Sequence, residues 1–330
     1  MMIISRTPVR VSFCGGGTDV DWFSQASENG GMVTSLALDR YIHVTVNKRF
    51  DNRIRVSYSK LEIVDDFEEL EHELVRESMR MTGVTSGVEI TTIADIPSRG
   101  TGLGSSSSVT VGLLNALHSF AGRSVSASQL ASEACKIEID ILKQPIGRQD
   151  QYAASYGGIN TIKFCNNGDV LVEPIDISDD IKSRISEEFT LIFTGKSRSA
   201  SSILSNSVSE GKFAIDNLKR IREQADEAKD FLNSGRLSDL GSLLNEAWEM
   251  KRGISESVSD SFLDETYERI ISTGATGAKL LGAGGGGFFL VHGDFETRQK
   301  LKLEFSSDFR MIPLNIDNMG SSIIHNDSQR

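Results

Sequence analysis

The chain has 330 residues, a net charge of −11, 38% hydrophobic residues and 25% charged residues. These values are typical of a globular protein and leave room for two ordinary domains or one large one. The negative charge argues against general nucleic-acid binding, which needs a positive surface, but it does not exclude a small anionic substrate in a locally positive pocket.

Several features of the sequence indicate the cellular compartment, and they favour the cytoplasm. No run approaches the ~18 to 20 apolar residues of a membrane helix, and the first residues begin a strand-like pattern without a signal-peptide layout. Cys14, Cys135 and Cys165 are far apart and lack metal-ligand spacing, and the five histidines are scattered. We therefore expect a cytoplasmic protein with no membrane or nucleic-acid partner. The pattern does not predict an oligomeric state.

The first half of the chain mixes strand and helix signals. Alternating apolar residues from Val9 to Phe13 predict a half-buried strand, which the glycines at 15–17 end. A charged amphipathic helix is predicted from Phe67 to Met81. Further strands are predicted at 42–46, 54–58, 88–93, 158–164 and 170–175, and further helices after the segment at 97–108 and at about 127–143.

The character of the sequence changes near residue 187. The polar tail from Ser321 is expected to be loosely held. Because strands and helices do not alternate regularly, an α+β fold is favoured over a doubly wound sheet. The predicted elements are a strand at 189–193, helices at 203–233, 236–252 and 262–273, a strand–glycine loop–strand unit at 278–292, a helix at 295–306 and a strand at 311–314.

The segment Pro97–Ser108 is the most informative one. Its glycines at 100, 102 and 104 let backbone N–H groups approach a ligand, and a periodic helix follows at once. The unpaired N–H groups and the positive dipole end of that helix form a phosphate site. A flexible linker or a serine N-cap is the alternative. The segment is not a Walker loop, because the G-x-x-x-x-G-K-[ST] pattern is missing.

The positions of two carboxylates bear on function. Glu138 falls within the apolar stripe of its predicted helix, where a carboxylate is costly unless it is paired or bound to a cation. A solvated glutamate at the edge of the stripe is the alternative. Asp150 follows the helix break at Pro145 and could be the N-cap of a helix that Gly157 ends.

Three segments resemble the motifs of the GHMP kinases, a family of ATP-dependent small-molecule kinases. They are Pro8–Asp19, Pro97–Ser107 and Lys279–Gly287, and together they extend the resemblance over nearly the whole chain. The resemblance implies an α+β fold with a ribosomal protein S5-like ATP-binding domain at 1–187 and a ferredoxin-like domain at 188–330. It implies that ATP, Mg²⁺ and a sugar or sugar phosphate bind in the cleft between them.

The resemblance also implies roles for individual residues. Asp150 matches the catalytic aspartate, and Arg10 matches the arginine near the transferred phosphate; a solvated strand arginine is the alternative for Arg10. Ser106 and Glu138 match the Mg²⁺ ligands. The acceptor site includes Gly16, Gly17, Thr18 and Asp19, although Asp19 could be a simple turn residue. The nucleotide site includes Gly100, Gly102, Leu103, Gly104, Ser105, Ser106, Ser107, Gly284 and Gly285, with a plain glycine-rich hairpin as the alternative for the last two.

Details around these motifs indicate which branch of the family the chain resembles. Gly15-Gly16-Gly17-Thr18-Asp19 replaces the Gly-Glu-His-Thr-Asp of galactokinases, and with Gln149–Ala154 and Trp248-x-x-Lys251 it is similar to the D-glycero-D-manno-heptose 7-phosphate kinases. The implied product is the 1,7-bisphosphate, used for nucleotide-activated heptose. Galactokinase- or fucokinase-like activity is the alternative. Arg40, Lys48, Arg148 and Arg198 are candidates for holding the substrate phosphate, and 197–202 could form part of the cleft.

Two other functional classes compete with the kinase hypothesis. A non-catalytic sugar or ATP sensor on the same fold would keep the loops and lose the transfer chemistry; Arg10, Ser106, Glu138 and Asp150 argue against that loss. A nicotinamide-dependent oxidoreductase would need a strand before its glycine fingerprint and a helix after it. The loop at 282–287 contains G-x-G-x-x-G, but a strand follows it.

Overall fold

The computed structural model describes residues 1–97, 100–196, 213–253, 258–305 and 309–327, which form an α+β fold built on two sheets. The strands are β1 Met2–Cys14, β2 Gly31–Lys48, β3 Ile54–Ser57, β4 Leu61–Val64, β5 Val88–Ala94, β6 Ile159–Phe164, β7 Val170–Pro174, β8 Phe189–Phe193, β9 Gly277–Leu280, β10 Phe288–His292, β11 Met311–Pro313 and β12 Ser322–Asn326.

Helices connect and cover these strands. They are α1 Asp21–Ser24, α2 Glu73–Thr82, α3 Ser105–Phe120, α4 Ala127–Cys135, α5 Gln149–Tyr156, α6 Asp179–Glu188, α7 Phe213–Asn233, α8 Leu237–Arg252, α9 Ser261–Ser272 and α10 Phe295–Phe305, with a 3₁₀ turn at Phe67–Glu69 and a π-helical turn at Lys136–Ile141.

The first sheet has eight strands and is organised by the long strand β2. Its order is β12-β1-β2-β5-β3-β4, with β6 paired to β2 and β7 paired to β6. β2 has 18 residues, so its first part pairs with β6 and its second part with β5, while β1 runs along its other edge. From Pro8 to Cys14 every residue of β1 is buried. The predicted half-buried strand is therefore covered on both faces over this stretch.

The second sheet has four strands in the order β11-β8-β10-β9, and all its pairs are antiparallel. Numbered within this half of the chain, the order is 4-1-3-2, the ferredoxin-like arrangement implied by the family resemblance. Together with the mixed first sheet, this confirms the predicted α+β fold class.

Apolar packing joins the two sheets. Phe13 at the end of β1 meets Phe189 at the start of β8 with ring centroids 5.8 Å apart and nearly perpendicular planes. Both rings belong to one cluster of buried side chains that also takes in Leu36 of β2 and Leu244 of α8. The glycine-rich turn after β1 lies where the two sheets meet. The glycine loops at 100–104 and 282–287 come together at the same place.

The expectation of a loose tail from Ser321 is wrong. Residues Ser322–Asn326 form β12, which pairs antiparallel with β1 and closes one edge of the first sheet. The Ser321 and Thr7 hydroxyl oxygens lie 2.8 Å apart at the start of this pairing. The polarity of the segment reflects its position on an outer strand, where one edge remains exposed to solvent.

Many predicted elements lie within a few residues of their expected bounds, but β1 and β2 begin 7 and 11 residues before the strands predicted at Val9–Phe13 and 42–46. Three further differences are informative. The helix predicted at 127–143 is α4 followed by a π-helical turn at Lys136–Ile141. The strand β4 and the helix α6 have no counterpart in the prediction. The part of the predicted helix at 203–212 lies outside the described residues. No helix in the described part of the chain is long and apolar enough to cross a membrane.

Candidate active site

The glycine–serine segment forms a turn that leads directly into α3. Gly104 is the N-cap residue, with φ 73°, and makes no side-chain capping bond, so the serine N-cap interpretation is wrong. The linker interpretation is also wrong, because Thr101 and Leu103 are buried and the helix begins at Ser105. The first N–H groups of α3 have no partner within the helix and carry its positive dipole end. This is the geometry expected of a phosphate site.

Arg10 and Asp150 form an ion pair at this helix end. Arg10 donates from Nε and Nη2 to Asp150 Oδ1, at 2.8 and 2.6 Å, and from Nη1 to the Gly102 carbonyl oxygen. Arg10 is 4% exposed, so the solvated-arginine alternative is wrong. Asp150 Oδ2 lies beside Gly104, where a Cβ on that glycine would be 3.1 Å from it. The pair therefore faces the start of α3.

Asp150 lies within the first turn of α5 and does not cap it. The helix runs from Gln149 to Tyr156, its N-cap is Arg148, and Gly157 ends it with φ 70° as predicted. The capping alternative for Asp150 is therefore wrong. Its carboxylate faces Arg10 instead, and its side chain keeps 23% exposure, which leaves it open to a ligand.

Glu138 is the fully buried carboxylate of the site. It belongs to the π-helical turn and is 0% exposed, so the stripe-edge solvated alternative is wrong. Ser107 Oγ donates to its Oε2 at 2.8 Å, Thr110 Oγ1 donates to its Oε1 at 2.9 Å, and Gln151 Nε2 also donates to Oε2. Burial raises the pKa of Glu138 to about 7 against the effect of these hydrogen bonds, and Asp150 adds to the rise.

The surroundings of Glu138 fit a cation. Among the described residues its partners are neutral hydroxyl and amide groups, and no lysine or arginine pairs with it. Ser106, the other predicted ligand, is exposed at the first turn of α3, while Ser107 makes the contact with Glu138. No cluster of three His, Cys, Asp or Glu ligands occurs in the described ranges. Mg²⁺ is usually bound by one or two carboxylates together with substrate phosphates.

Asp19 is held by Gln149, the residue that precedes Asp150 in the chain. Gln149 donates to it twice, from its backbone N to Oδ2 and from Nε2 to Oδ1, both at 3.0 Å, and Gly17 N donates to Oδ1 at 2.9 Å. Asp19 is 2% exposed, and burial raises its pKa. Thr18 is 0% exposed, and its hydroxyl bonds the backbone of Gly15 and Met32. Thr18 therefore stabilises the turn after β1 through its buried hydroxyl group.

The two glycine loops pack against each other backbone to backbone. A Cβ on Gly102 would lie 2.5 Å from the Leu281 carbonyl oxygen, and a Cβ on Gly282 would lie 2.4 Å from the Gly102 Cα. Phe288 N donates to the Thr101 carbonyl at 3.2 Å. Side chains at these glycines would separate the sheets. The loop at 282–287 is thus part of the same site as the start of α3.

The contacts of the second loop bear on its predicted nucleotide residues. Gly285 N donates to the Val258 carbonyl at 2.9 Å, so this N–H is engaged within the protein. Gly284 packs closely on Val258, with a φ of 114°. The backbone contact of Gly285 does not support a direct phosphate contact through its N–H, and both glycines hold the loop against Val258.

Two lysines of the site were not among the predicted site residues. Lys279 and Lys251 contribute positive charge at the point where the loops meet, and their contacts are described below. The sequence carried one signal for them, because Trp248-x-x-Lys251 places an apolar residue and a lysine on one helix face. The neutral residues that donate hydrogen bonds to Glu138, such as Thr110, follow no recognisable pattern in the sequence.

Two of the four basic residues considered for a substrate phosphate, Arg148 and Arg40, are paired with carboxylates. Arg148 binds Asp21 at 3.0 Å and the Gly168 carbonyl at 2.7 Å, and Arg40 donates to the Asp39 carboxylate at 2.8 Å. Lys48 is exposed at the end of β2. Arg198 and the segment 197–202 lie outside the described residues.

Two family models match this chain. The model for the N-terminal domain of GHMP kinases covers residues 68–158, and the model for their C-terminal domain covers residues 216–310. The first range includes the α3 loop, Glu138 and Asp150, and the second includes the glycine loop at 282–287.

Relatives of the chain include several that are named as sugar kinases and one that is named as a mevalonate kinase. It is 31% identical, over 88% of its length and 89% of the relative's, to D-glycero-alpha-D-manno-heptose 7-phosphate kinase of Campylobacter jejuni. It is 26% identical to the bifunctional fucokinase/GDP-fucose pyrophosphorylase of Arabidopsis thaliana over 92% of this chain, and spans 31% of that protein. A crystal structure of D-glycero-D-manno-heptose 1-phosphate kinase from Bacteroides thetaiotaomicron has the same fold, with a TM-score of 0.82, 22% identity and coverage of 98% and 99%.

Proposed function

The chain belongs to the GHMP kinase family and is a sugar kinase of that family, and we propose that it phosphorylates D-glycero-D-manno-heptose 7-phosphate at the anomeric hydroxyl with ATP. The observation that carries the proposal is the Arg10–Asp150 pair at the N-terminus of α3. A carboxylate, a guanidinium and a helix end converge there, as phosphoryl transfer to a hydroxyl requires.

Each member of the pair has a distinct role in the proposed reaction. Asp150 Oδ1 is held by Arg10, while Oδ2 has no hydrogen-bond partner among the described residues and points to the Gly104 side. Oδ2 is the atom that orients the acceptor hydroxyl and accepts its proton. Arg10 fixes this carboxylate and offsets negative charge on the group being transferred.

The cofactor residues follow from the same geometry. We assign the nucleotide phosphates to the loop at 100–104 and the first turn of α3, with Gly284 and Gly285 shaping the opposite wall. Glu138 and Ser106 would hold Mg²⁺, and Ser107 orients the Glu138 carboxylate. When bound, Mg²⁺ would supply positive charge that offsets the charge of the nucleotide phosphates. We place the boundary between the two domains near residue 187, just before β8 begins.

The acceptor site supports a sugar with bulk near the reacting hydroxyl. Gly16 carries no side chain beside Gln149, where a Cβ would lie 3.6 Å from Gln149 Nε2, and a Cβ on Gly17 would lie 3.4 Å from Leu218 Cδ2. The carboxylate of Asp19 and the amide of Gln149 form one hydrogen-bonded polar unit beside this opening. The heptose assignment rests on this opening and on the likeness to the Campylobacter jejuni protein.

The test of this function is a comparison of kcat/KM across acceptors, with ADP release as the readout. D-glycero-D-manno-heptose 7-phosphate, the same heptose without phosphate, galactose and fucose would be compared with Mg·ATP. We expect the heptose 7-phosphate to exceed each other sugar by at least ~100-fold, since a site built for a charged group rejects analogues that lack it.

Two other results would redirect the proposal. Preference for fucose would favour a fucokinase-like enzyme, the activity carried in the name of the Arabidopsis relative. Binding of Mg·ATP without turnover of any acceptor would contradict the heptose proposal and favour the sensor alternative.

A further inference from the structure

Lys251 reaches the glycine loops from the last turn of α8. Its Nζ donates to the Leu280 carbonyl at 3.1 Å and also to the Gly282 carbonyl. Trp248, one turn earlier, is fully buried, and its ring lies 5.8 Å from that of Phe289 with nearly perpendicular planes. The tryptophan fixes the helix against β10. The lysine is therefore held at the base of the loop at 282–287.

Lys279 approaches the same point from β9. It is 6% exposed, and its Nζ donates to the carbonyl oxygens of Ser12 and Phe13, at 3.1 and 2.6 Å. These carbonyls belong to the end of β1, two and three residues beyond Arg10. The two lysines and Arg10 thus surround the contact between the loops.

The charges at this point are unbalanced. Within the described part of the chain, Lys251 and Lys279 bind only backbone carbonyls, and the carboxylate of Asp150 is taken up by Arg10. Burial, followed by the charges of Lys279 and Arg10, lowers the pKa of Lys251 well below its usual range. Burying an ammonium without a counter-charge is costly, and a bound anion would relieve that cost.

We propose that Lys251 is a phosphate-binding residue of this site, holding a ligand phosphate at the glycine loops with its remaining N–H donor. An ammonium has three donors, of which the two loop carbonyls use two. The third donor has no partner among the described residues. This inference rests on the proposed kinase function, and it adds a residue from the C-terminal half to the phosphate site.

Phosphate at this position has two sources, the nucleotide and the sugar phosphate. Calorimetric titration of AMP-PNP, AMP and D-glycero-D-manno-heptose 7-phosphate into wild type and variants separates them. Lys251→Met removes the charge and the donors, Lys251→Gln keeps donors for the carbonyls, and Lys251→Arg keeps the charge. Lys300→Met is the control, because Lys300 is 55% exposed and pairs with Glu296 on α10.

We expect Lys251→Met and Lys251→Gln to weaken one phosphate ligand about 10-fold or more, the usual effect of losing a charge-assisted hydrogen bond. Lys251→Arg should restore most of the affinity, and Lys300→Met should match wild type. Loss confined to AMP-PNP, with AMP unchanged, assigns the contact to the terminal nucleotide phosphates. Loss confined to the heptose phosphate assigns it to the substrate.

The proposal is overturned if Lys251→Gln binds all three ligands as wild type does, or if Lys251→Arg fails to restore affinity while remaining folded by thermal unfolding. These results are distinct from failure of the kinase proposal. That failure appears in the wild-type protein, as an absence of AMP-PNP binding or of sugar turnover. Comparisons among Lys251 variants need only ligand binding, so they do not depend on turnover.

Discussion

At the scale of single residues, the site depends on how carboxylates and cations share their partners. Arg10 neutralises Asp150, while Glu138 is surrounded by neutral donors. This difference separates their tasks. Arg10 holds the first carboxylate in place, whereas burial makes ionisation of the second costly unless a cation binds beside it.

Asp150→Asn tests the first carboxylate. An amide cannot accept the acceptor proton or pair with Arg10, so we expect turnover to fall by about 10²- to 10⁴-fold. AMP-PNP affinity should change little. Steady-state kinetics and calorimetry measure the two effects, and Asp216→Asn, at a side chain that is 86% exposed, is the control. Near-normal turnover in the folded Asp150→Asn protein would remove Asp150 from the reaction.

Glu138→Gln tests the second carboxylate through stability. The folded-state pKa of Glu138 is raised to about 7. Ionisation therefore costs the folded state stability as pH rises from about 4 to about 7, and the full cost is present above that range. Without Mg²⁺, we expect Glu138→Gln to be more stable than wild type at pH 8, on the order of 1–3 kcal/mol, with no such gain at pH 4.

Urea denaturation at the two pH values measures this difference. The substitution is tolerable because Gln151 Oε1, which has no hydrogen-bond partner among the described residues, can turn to accept from the new amide. The same variant should lose the Mg²⁺ dependence of turnover along with most activity. A Mg²⁺ titration that matches wild type would rule out a metal role for Glu138.

At the scale of elements, the two glycine loops act as one unit because their backbones touch. Gly102→Ala tests this contact, since its Cβ would lie 2.5 Å from the Leu281 carbonyl oxygen, and φ there is +77°. Gly122→Ala is the matched control, with φ +75° and no atom within 4 Å of its Cβ.

Both alanines carry the backbone strain of positive φ, about 1–2 kcal/mol. Only Gly102→Ala must also separate the loops. We therefore expect turnover to fall by at least ~10-fold in this variant alone, and its melting temperature to fall further than that of Gly122→Ala. Thermal unfolding and the kinase assay compare the two variants. Equal effects at both positions would show that the loop contact is unimportant.

The elements also show what sequence patterns can and cannot predict. The strand at Phe189–Phe193 and the helix at Leu237–Arg252 were predicted within one residue, because apolar period and breakers mark them clearly. The segment Ser322–Asn326 was not predicted as a strand, since its pairing partner lies some 320 positions earlier. Local polarity carries no information on such a long-range pairing.

The site itself was predictable only where a motif carried it. Arg10 and Asp150 were placed by family resemblance, and the strand pattern alone favoured a solvated arginine at position 10. The hydrogen bonds of Ser107, Thr110 and Gln151 to Glu138 depend on three separate helical segments, so no local spacing reveals them. The Trp248-x-x-Lys251 pattern marks Lys251 in the sequence, but only its carbonyl partners place it at the glycine loops.

At the scale of the whole molecule, the C-terminal strand returns to the first sheet and joins the two halves of the chain. A chain ending at Gly320 would lose β12 and expose an edge of β1, the strand that carries Arg10. We expect a loss of a few kcal/mol in unfolding free energy. A chain ending at Asp327 keeps β12 and is the control. Thermal unfolding that is unchanged by the longer deletion would contradict this role.

The measurement that tests the central claim most directly is phosphorus NMR of the product formed from D-glycero-D-manno-heptose 7-phosphate and Mg·ATP. We predict a new phosphate resonance coupled to the anomeric proton, with one ADP formed for each anomeric phosphate. A phosphate on any other hydroxyl, or no product while AMP-PNP binds normally, would contradict the proposed function.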